Sequence, residues 1–181
     1  MPIQFRTSRW EMPRIAVIGN SGGGKSTLAR RLAARNGLPH IEVDRLLWQE
    51  GWQLTPAEIY DRQHAEVIQG EHWIVDGLGR RDSIPERLNR ATQIIVIDMP
   101  LWMHFWLAAE RQISWALGDL EYAPGGISQV PPTESLFKMI WDIEQMWMPE
   151  IRSLCANAEL NGKSVVRLAS VIELNQFSGS L

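Results

Sequence analysis

The fold of this chain is decided by Gly19-Asn20-Ser21-Gly22-Gly23-Gly24-Lys25-Ser26, which matches the phosphate-loop pattern G-x-x-x-x-G-K-S/T. Glycines let the backbone turn tightly and point successive N–H groups inward, so that they form an anion-binding nest. The following helix adds unpaired N–H groups and the positive end of its dipole. We therefore predict that Gly19 to Thr27 bind nucleotide phosphates, with Lys25 on the β- and γ-phosphates and the Ser26 hydroxyl on Mg²⁺.

The sequence on either side of this loop supports the interpretation. Arg14 to Ile18 form a short apolar run that is typical of a buried strand. Residues 27–35 carry Leu28 and Leu32 on one helical face, and Asn36-Gly37 is a helix stop. A strand, a glycine-rich loop and a helix in that order distinguish a phosphate loop from an ordinary glycine-rich turn.

The composition is that of one ordinary domain over residues 1–181. Of the 181 residues, 45% are hydrophobic and 22% are charged, and the net charge is −3, which argues against general nucleic-acid binding. Cys155 is the only cysteine, so no internal disulfide can form and we predict a cytoplasmic location. The apolar stretch 99–109 contains Pro100 and His104 and is too short to span a bilayer, so no membrane association is expected. Nothing in the sequence indicates the oligomeric state.

Strand and helix patterns alternate along the chain, which predicts βαβ units and a parallel sheet covered on both faces. Right-handed crossovers then bring the carboxyl ends of the strands to one edge, where the phosphate loop, Asp44, Asp76 and Asp98 would meet. Strands are predicted at 14–18, 40–43, 73–77, 93–98 and 163–168, and helices at 27–35, 55–69, 83–90, 101–117, 133–161 (with a break near Pro149) and 171–177.

Three acids at strand ends are candidates for chemistry. Asp76 ends an apolar strand, as a Walker-B-type acid does, and is predicted to hold Mg²⁺, usually through water. Asp98 has a similar setting. Asp44 would accept or orient the proton of an attacking hydroxyl, or help to hold the metal. Each of the three has an alternative as a residue that caps a loop or helix.

Basic residues are candidates for binding the phosphoryl acceptor. Arg80 and Arg81 follow the turn Gly77-Leu78-Gly79, where guanidinium groups would hold an anionic acceptor in bidentate fashion. Arg111 precedes a Pro- and Gly-rich loop, and the region 101–132 is predicted to be a helical lid. An arginine there would close over the transferring phosphoryl group and stabilise its charge. Exposed surface positions are the structural alternative for all three arginines.

Aromatic residues lie beside these candidates. Trp48 and Trp52 flank the expected acceptor side, where they either stack on a substrate ring or cover the sheet edge. The helix over 101–117 repeats Trp102, Phe105, Ala109, Ile113 and Ala116 on one apolar stripe, which predicts an amphipathic helix.

Four stretches of the sequence, given at the end of this paragraph, together resemble the adenylate-kinase-like P-loop proteins, and among them the bacterial DNA topology modulation proteins. The resemblance implies a three-layer α/β P-loop NTPase fold with a five-stranded parallel sheet of order 2-3-1-4-5. It also implies ATP and Mg²⁺ binding and an acceptor site between the second strand and a helical lid. Asp44 then matches the acid after strand two, and Arg81 matches a basic acceptor-side position. The runs are IGNSGGGKSTLARRLA (18–33), IEVDRLLWQEGW (41–52), WIVDG (73–77) and IIVIDMP (94–100).

The chain departs from that family in its lid, because such kinases usually carry several lid arginines and 101–132 offers only Arg111. The first functional hypothesis is a kinase that transfers the γ-phosphoryl group of ATP to a nucleotide, a nucleoside or another small hydroxyl or phosphate acceptor. A nucleotide-dependent regulator that acts through a partner is the second, and a slow NTPase without an acceptor is the third. A contiguous exposed Trp/Met patch over 133–150 would favour the regulator.

Overall fold

The computed structural model describes residues 13–120, 122–123 and 127–180. Strands and helices alternate through most of this part of the chain. In chain order they are β1 (Arg14–Gly19), α1 (Lys25–Asn36), β2 (His40–Glu42), α2 (Val43–Leu47), β3 (Trp48–Gln49), β4 (Gln53–Leu54), α3 (Ala57–Gln69), β5 (Trp73–Asp76), α4 (Ile84–Arg90), β6 (Gln93–Ile97), α5 (Leu101–Ala116), α6 (Thr133–Met146), α7 (Met148–Leu160), β7 (Ser164–Leu168) and α8 (Val171–Gly179).

The main sheet has five parallel strands in the order β2-β5-β1-β6-β7. Counting only the strands of this sheet, the order is 2-3-1-4-5, which confirms the predicted fold class. The central strand β1 is buried from Ile15 to Gly19, as expected for a parallel strand that helices cover on both faces. Since the strands are parallel, the loop after β1 and the acid at the end of β5 lie at the same edge.

Helices cover both faces of this sheet. Ala16 and Ile18 of β1 point to one face, where they belong to a core shared with α4 and α7. Ile15 and Val17 point to the other, where Leu28 and Leu32 of α1 and a residue of α8 complete the core. Alternate residues of a strand face opposite sides, so one apolar run supplies both cores and produces three layers.

A small antiparallel hairpin, β3 with β4, lies outside the main sheet. No strand is predicted from the sequence over these residues. The turn contains Gly51 at φ 74° and Trp52 at φ 59°. A tryptophan in the left-handed region is a strained conformation that surrounding contacts must hold. The contacts that hold Trp52 lie at the functional site described below.

Helix α5 buries a different face from the one that its apolar stripe predicted. Its fully covered residues are His104, Ala108 and Gln112, whereas Trp102 and Ile113 are 63% and 61% exposed. Ala108 packs against residues of α6. The buried polar side chains are tolerated because each bonds to a backbone carbonyl, His104 to Ser21 and Gln112 to Pro131.

The remaining predictions about the helices agree with the structure. The helical pattern over 133–161 divides into α6 and α7 at Trp147, and Pro149 lies in the first turn of α7.

Cys155 is fully buried in α7, and burial raises the pKa of its thiol to about 11, so the thiolate is disfavoured. In the described part of the chain, no helix combines the length and the apolar character needed to cross a bilayer.

Candidate active site

The phosphate loop joins β1 to α1 in a conformation that requires glycine. Gly19 has φ +143°, and a Cβ there would lie 2.2 Å from the carbonyl oxygen of Ile97. Gly22 has φ +81°, and a Cβ there would lie 2.8 Å from the carbonyl oxygen of His104. No acidic side chain occupies the first turn of α1. The loop therefore presents backbone N–H groups and a helix N-terminus without a competing negative charge.

Hydrogen bonds to two helices, α5 and α6, fix the loop from behind. Asn20 is fully buried, and its amide donates to the carbonyl oxygen of Ile140 on α6 (3.0 Å) and accepts from Ser21 N–H (2.7 Å). The His104 Nδ1–H on α5 donates to the Ser21 carbonyl oxygen (2.9 Å), with the tautomer following from that acceptor. Burial lowers the pKa of His104, so the ring is neutral. The loop is thus held in place by the protein itself.

Ser26, Asp76 and His40 form a chain of hydrogen bonds beside the loop. The Ser26 hydroxyl donates to Asp76 Oδ2 (2.5 Å), and His40 Nε2 lies 2.7 Å from Asp76 Oδ1. Asp76 is 1% exposed. The structure therefore brings the two predicted Mg²⁺ residues together, with the carboxylate oriented by a histidine to which the sequence analysis assigned no role.

The donors present suit Mg²⁺. A hydroxyl and a carboxylate next to a phosphate loop are hard oxygen ligands, and this ion uses one or two protein oxygens together with water and phosphate oxygens. The described residues hold no cluster of three or more His, Cys, Asp or Glu side chains that would form a cage for a metal. A shared site with a nucleotide phosphate is what these residues fit.

A cavity of about 880 Å³ opens over the loop. Its wall joins parts that are distant in sequence: the phosphate loop and α1, the end of β2 with α2 and the β3–β4 hairpin, α5 with the following loop, the start of α6, and α8. The predicted site residues in its lining are Ser21, Gly22, Gly23, Gly24, Lys25, Ser26, Thr27, Asp44, Trp48 and Arg111.

Lys25, Asp44 and Arg111 form the charged centre of this cavity. The Lys25 ammonium donates to the Asn20 carbonyl oxygen (2.7 Å). Burial lowers the pKa of Lys25, and Asp44 and Asp76 oppose that shift. Burial likewise raises the pKa of Asp44, opposed by the charge of Lys25. Burial lowers the pKa of Arg111, opposed by Asp44; a guanidinium still keeps its charge. Its Nε has no hydrogen-bond partner among the described residues.

The structure does not bring Arg80 and Arg81 to this centre. Neither lines the cavity. Arg80 pairs with Asp61 (3.4 Å) and Arg81 with Glu150 on α7 (2.7 Å), and both pairs lie at the surface. The turn after β5 is folded back by Tyr60, whose hydroxyl accepts from Arg80 N–H (3.2 Å). Sequence position predicted their neighbourhood and could not predict the direction of the side chains.

Asp98 is also turned away from the phosphate loop. Its carboxylate accepts both Nε and Nη2 of Arg152 on α7 (3.0 and 2.7 Å), and Arg152 also donates to Glu144 (2.6 Å). The hydrogen bond to Asp98 raises the pKa of Arg152. Glu144 lies 3.4 Å from the Asn20 amide. Asp98 therefore supports the loop through this network and does not line the cavity.

Two tryptophans and α5 close one end of the cavity. Trp48 and Trp52 meet edge to face at 5.6 Å, and Trp52 meets Trp115 of α5 at 6.3 Å. The Trp52 indole N–H donates to the carbonyl oxygen of Gln129 (3.1 Å), beyond α5 in the chain. These contacts account for the strained backbone of Trp52. The part of the cavity lined by Asp44, Trp48, Trp52 and Arg111 is called the acceptor end below.

Glu42 and Arg87 are residues of this region that the sequence analysis missed. Glu42 lines the cavity and pairs with Arg30 (3.5 Å); its position two residues before Asp44 was the available signal. Arg87 is 1% exposed and donates to the carbonyl oxygens of Gly77 and Leu78 (3.0 Å each). Nothing in the pattern of α4 distinguished this arginine from its exposed neighbours.

Comparisons with known proteins give partial sequence matches and two structural matches over nearly the whole chain. No family model matches the chain. A shikimate kinase of Xanthomonas euvesicatoria pv. vesicatoria is 32% identical over 71 residues, which is 39% of either chain. One of Xanthomonas campestris pv. campestris is 38% identical over 60 residues, 33% of this chain and 32% of the relative. The matches thus span two fifths or less of these curated relatives.

Two solved structures cover nearly the whole chain. A gluconokinase from Sinorhizobium meliloti 1021 has a TM-score of 0.55 at 16% identity, covering 95% of this chain and 90% of that one. A shikimate kinase from Acinetobacter baumannii in complex with shikimate has a TM-score of 0.56 at 13% identity, covering 93% and 89%. The chain therefore has the fold of the P-loop small-molecule kinases.

Proposed function

We propose that this protein transfers the γ-phosphoryl group of ATP to a hydroxyl group of a small molecule. The observation that carries the proposal is that the phosphate loop, Asp44 and Arg111 all line one cavity. A loop for the donor, an acid for the incoming hydroxyl and a cation between them are the parts that phosphoryl transfer needs. The fold and the partial likeness to shikimate kinases support it.

The position of each residue in the cavity indicates its role in the transfer. The loop N–H groups and Lys25 bind the phosphate oxygens, and Lys25 exchanges its bond to the Asn20 carbonyl oxygen for one to phosphate. Ser26, oriented by Asp76, holds Mg²⁺; the ion supplies charge neutralisation on the phosphates. Arg111 stabilises charge on the transferring group. The lid region and the two cavity-lining tryptophans exclude water, which would otherwise accept the phosphoryl group.

Asp44 would receive or orient the proton of the attacking hydroxyl. The carboxylate must be ionised for this role, and burial raises its pKa while Lys25 opposes the shift. A raised pKa brings a carboxylate closer to the working pH and makes it a better general base. Activity therefore depends on the Lys25 charge in two ways, through the phosphates and through the ionisation of Asp44.

The direct test measures ADP release and phosphorylated product from Mg·ATP with a panel of nucleosides, nucleoside monophosphates, sugars and small hydroxy acids. Lys25→Ala is the control for contaminating kinases. Product from one acceptor class, absent in the variant, is the expected result. A slow ATP hydrolysis that no acceptor stimulates would contradict the kinase proposal and favour the NTPase alternative.

The regulator alternative loses its main support. That alternative required a contiguous exposed Trp/Met patch over 133–150. Trp141 and Met146 are about half exposed, but Met148 is fully buried and Met139 and Trp147 are partly covered. The patch is therefore not contiguous.

Three predictions from the sequence stay predictions: the nucleotide or nucleoside acceptor, the cytoplasmic location and the likeness to DNA topology modulation proteins. The net charge of −3 gives no support to a nucleic-acid partner.

A further inference from the structure

The cavity holds few positive charges. Its lining cations among the described residues are Lys25, Arg30, Arg31 and Arg111. Arg30 pairs with Glu42 (3.5 Å), and its guanidinium lies 4.4 Å over the Tyr122 ring. Arg31 donates to the Ser178 hydroxyl on α8 (2.9 Å). Arg30 is therefore ion-paired, whereas Arg31 keeps its charge beside α8, outside the acceptor end.

The arginines on the turn after β5 add no positive charge to the cavity lining. Arg80 and Arg81 are paired at the surface and do not line the cavity. Arg87 is buried beneath the turn and also lies outside the lining, with one guanidinium nitrogen held by two backbone carbonyls. Lys25 and Arg111 remain, and both are required by the phosphates of ATP.

Apart from Arg111, the acceptor end is acidic and aromatic. Asp44 supplies a negative charge, and an anionic acceptor would meet it next to the ATP phosphates, where like charges repel strongly in a partly desolvated site. Trp48 and Trp52 supply flat apolar faces. The Trp52 indole N–H is already bonded to Gln129, so that residue offers its ring and not a donor.

We infer that the acceptor is an uncharged alcohol carried on a ring, with one hydroxyl directed at Asp44 and the ring packed against Trp48 and Trp52. Neutral sugars or cyclic polyols and nucleosides share this chemistry. The inference rests on the proposed kinase function. In the reaction, the alcohol oxygen bonds to the γ-phosphorus, the bond from that phosphorus to the bridging oxygen breaks, its electron pair leaves with ADP, and the hydroxyl proton goes to Asp44.

Matched acceptor pairs test this inference. Nucleosides are compared with their 5′-monophosphates, and neutral sugars and cyclic polyols with their carboxylated and phosphorylated forms, with product identified by mass spectrometry. The neutral member of a pair is expected to have a kcat/KM at least about tenfold higher, because a buried unpaired anion is costly. The neutral class that reacts distinguishes nucleosides from sugars.

The outcomes separate the inference from the proposed function. Lys25-dependent product from charged acceptors only would overturn the inference and keep the kinase. Absence of Lys25-dependent product from every neutral alcohol would also overturn it. ATP turnover that Lys25→Ala leaves unchanged would instead remove the proposed function.

A pair of tryptophan variants tests the ring contact. Trp48→Ala is expected to raise the KM of the neutral acceptor about tenfold with the KM of ATP unchanged. Trp141→Ala removes an exposed tryptophan of α6 outside the cavity and is expected to change neither constant. Equal effects of the two variants would contradict a ring packed on Trp48.

A different observation carries a second inference, which concerns the outer face of α5. Four large apolar side chains there are at least 60% exposed: Trp102, Trp106, Ile113 and Leu117. At 3.6 residues per turn they fall within one narrow stripe, here called the α5 apolar face. An apolar patch of this size on a protein surface is often functional.

The spacing of this face indicates a second copy of the chain. Trp102 with Leu117, and Trp106 with Ile113, share one midpoint, between Ala109 and Glu110. When two α5 helices cross antiparallel about that midpoint, each tryptophan meets an aliphatic residue of the other copy. The four side chains expose roughly 500 Å² per protomer, so their complete burial in a pair removes about 1,000 Å², the lower limit of a specific interface.

We propose that α5 mediates an antiparallel homodimer through this face. Sedimentation equilibrium is expected to show a reversible dimer that Trp106→Glu dissociates, while Trp141→Glu, a matched change at another exposed tryptophan, leaves it intact. A monomer at all concentrations, or equal effects of the two variants, would overturn the proposal.

Engineered cysteines test the register. Ala109→Cys is expected to form an intermolecular disulfide under mild oxidation because the two Cβ atoms face each other at the midpoint. Ala116→Cys, two turns away on the same flank, is expected not to do so. Cys155 is buried and gives no background crosslink. Crosslinking of the Ala116 variant alone would overturn the antiparallel register.

Discussion

The phosphate loop and the acceptor end differ in how the chain forms them and in how firmly they are held. The loop is made from one continuous run of sequence, and buried hydrogen bonds from Asn20 and His104 fix it before any ligand binds. The acceptor end is assembled from α2, the β3–β4 hairpin and α5. Its Arg111 Nε has no partner among the described residues, and its Trp52 holds a strained backbone. The phosphate loop is preorganised, whereas the acceptor end has groups that remain without a partner until a substrate binds.

Lys25→Ala is expected to have the largest effect, a loss of turnover of about 10³-fold or more, because it removes the charge that acts on the phosphates. Lys25→Met, which keeps the chain length, is expected to lose as much. The fold should survive, since Lys25 bonds only to a carbonyl oxygen and burial disfavours its charge. ADP release and thermal unfolding measure the two effects, and substantial activity in Lys25→Met would contradict the electrostatic role.

Arg111→Ala is expected to lower kcat by about 10²- to 10³-fold with little change in the Kd of ATP, since a lid arginine acts mainly on the transition state. Arg111→Lys is expected to recover part of the rate. Steady-state kinetics and ATP titration check this. An equal loss in ATP affinity would indicate that Arg111 binds the ground state instead.

Asp44→Asn is expected to lower kcat about 100-fold. Burial raises the pKa of Asp44 above its ordinary value of 3.8, so wild-type activity should fall as the pH falls through that raised pKa. A carboxyl with a raised pKa costs the folded state stability once it ionises. Asp44→Asn should therefore raise the Tm at neutral pH, with the gain disappearing below pH 3.8. A lower Tm at neutral pH would contradict the role of burial.

Asn20→Ala tests the preorganised loop. It removes a fully buried amide that bonds Ile140 and Ser21, and the expected cost is about 1–3 kcal/mol of unfolding free energy because buried polar groups lose their partners. Urea denaturation measures it, and the Kd of ATP should rise. Asn36→Ala, which removes only a bond to Leu32 within α1, is the matched control and should cost less.

Arg81→Ala is expected to have the smallest effect. Its pair with Glu150 is solvent-exposed, and such pairs contribute about 0–1 kcal/mol. The KM of the acceptor should stay within about twofold of the wild-type value, because the side chain does not line the cavity. A tenfold rise in that KM would indicate that Arg81 contacts the acceptor. The acceptor end would then have a cation for an anionic acceptor, and the argument for a neutral acceptor would fail.

Much of the fold could be predicted because it depends on local patterns. The five apolar runs predicted the strands, and the glycine spacing predicted a loop that the structure confirms, with Gly19 and Gly22 at positions where a Cβ would collide with the backbone. Predictions about helix faces were weaker. The apolar stripe of α5 predicted an amphipathic helix, but α5 packs His104 and Gln112 against backbone carbonyls and leaves Trp102 exposed.

The sequence by itself determined the strands, their parallel arrangement and the position of the phosphate loop, since hydrophobic periodicity and glycine conformation are properties of short segments. The strand order came from the resemblance to P-loop proteins. Only the tertiary structure decided which charged residues face the cavity. Asp44 and Arg111, 67 positions apart, meet there, while Arg80, Arg81 and Asp98 turn to partners elsewhere. The direction of a side chain depends on which distant group compensates its charge, and no local pattern carries that information.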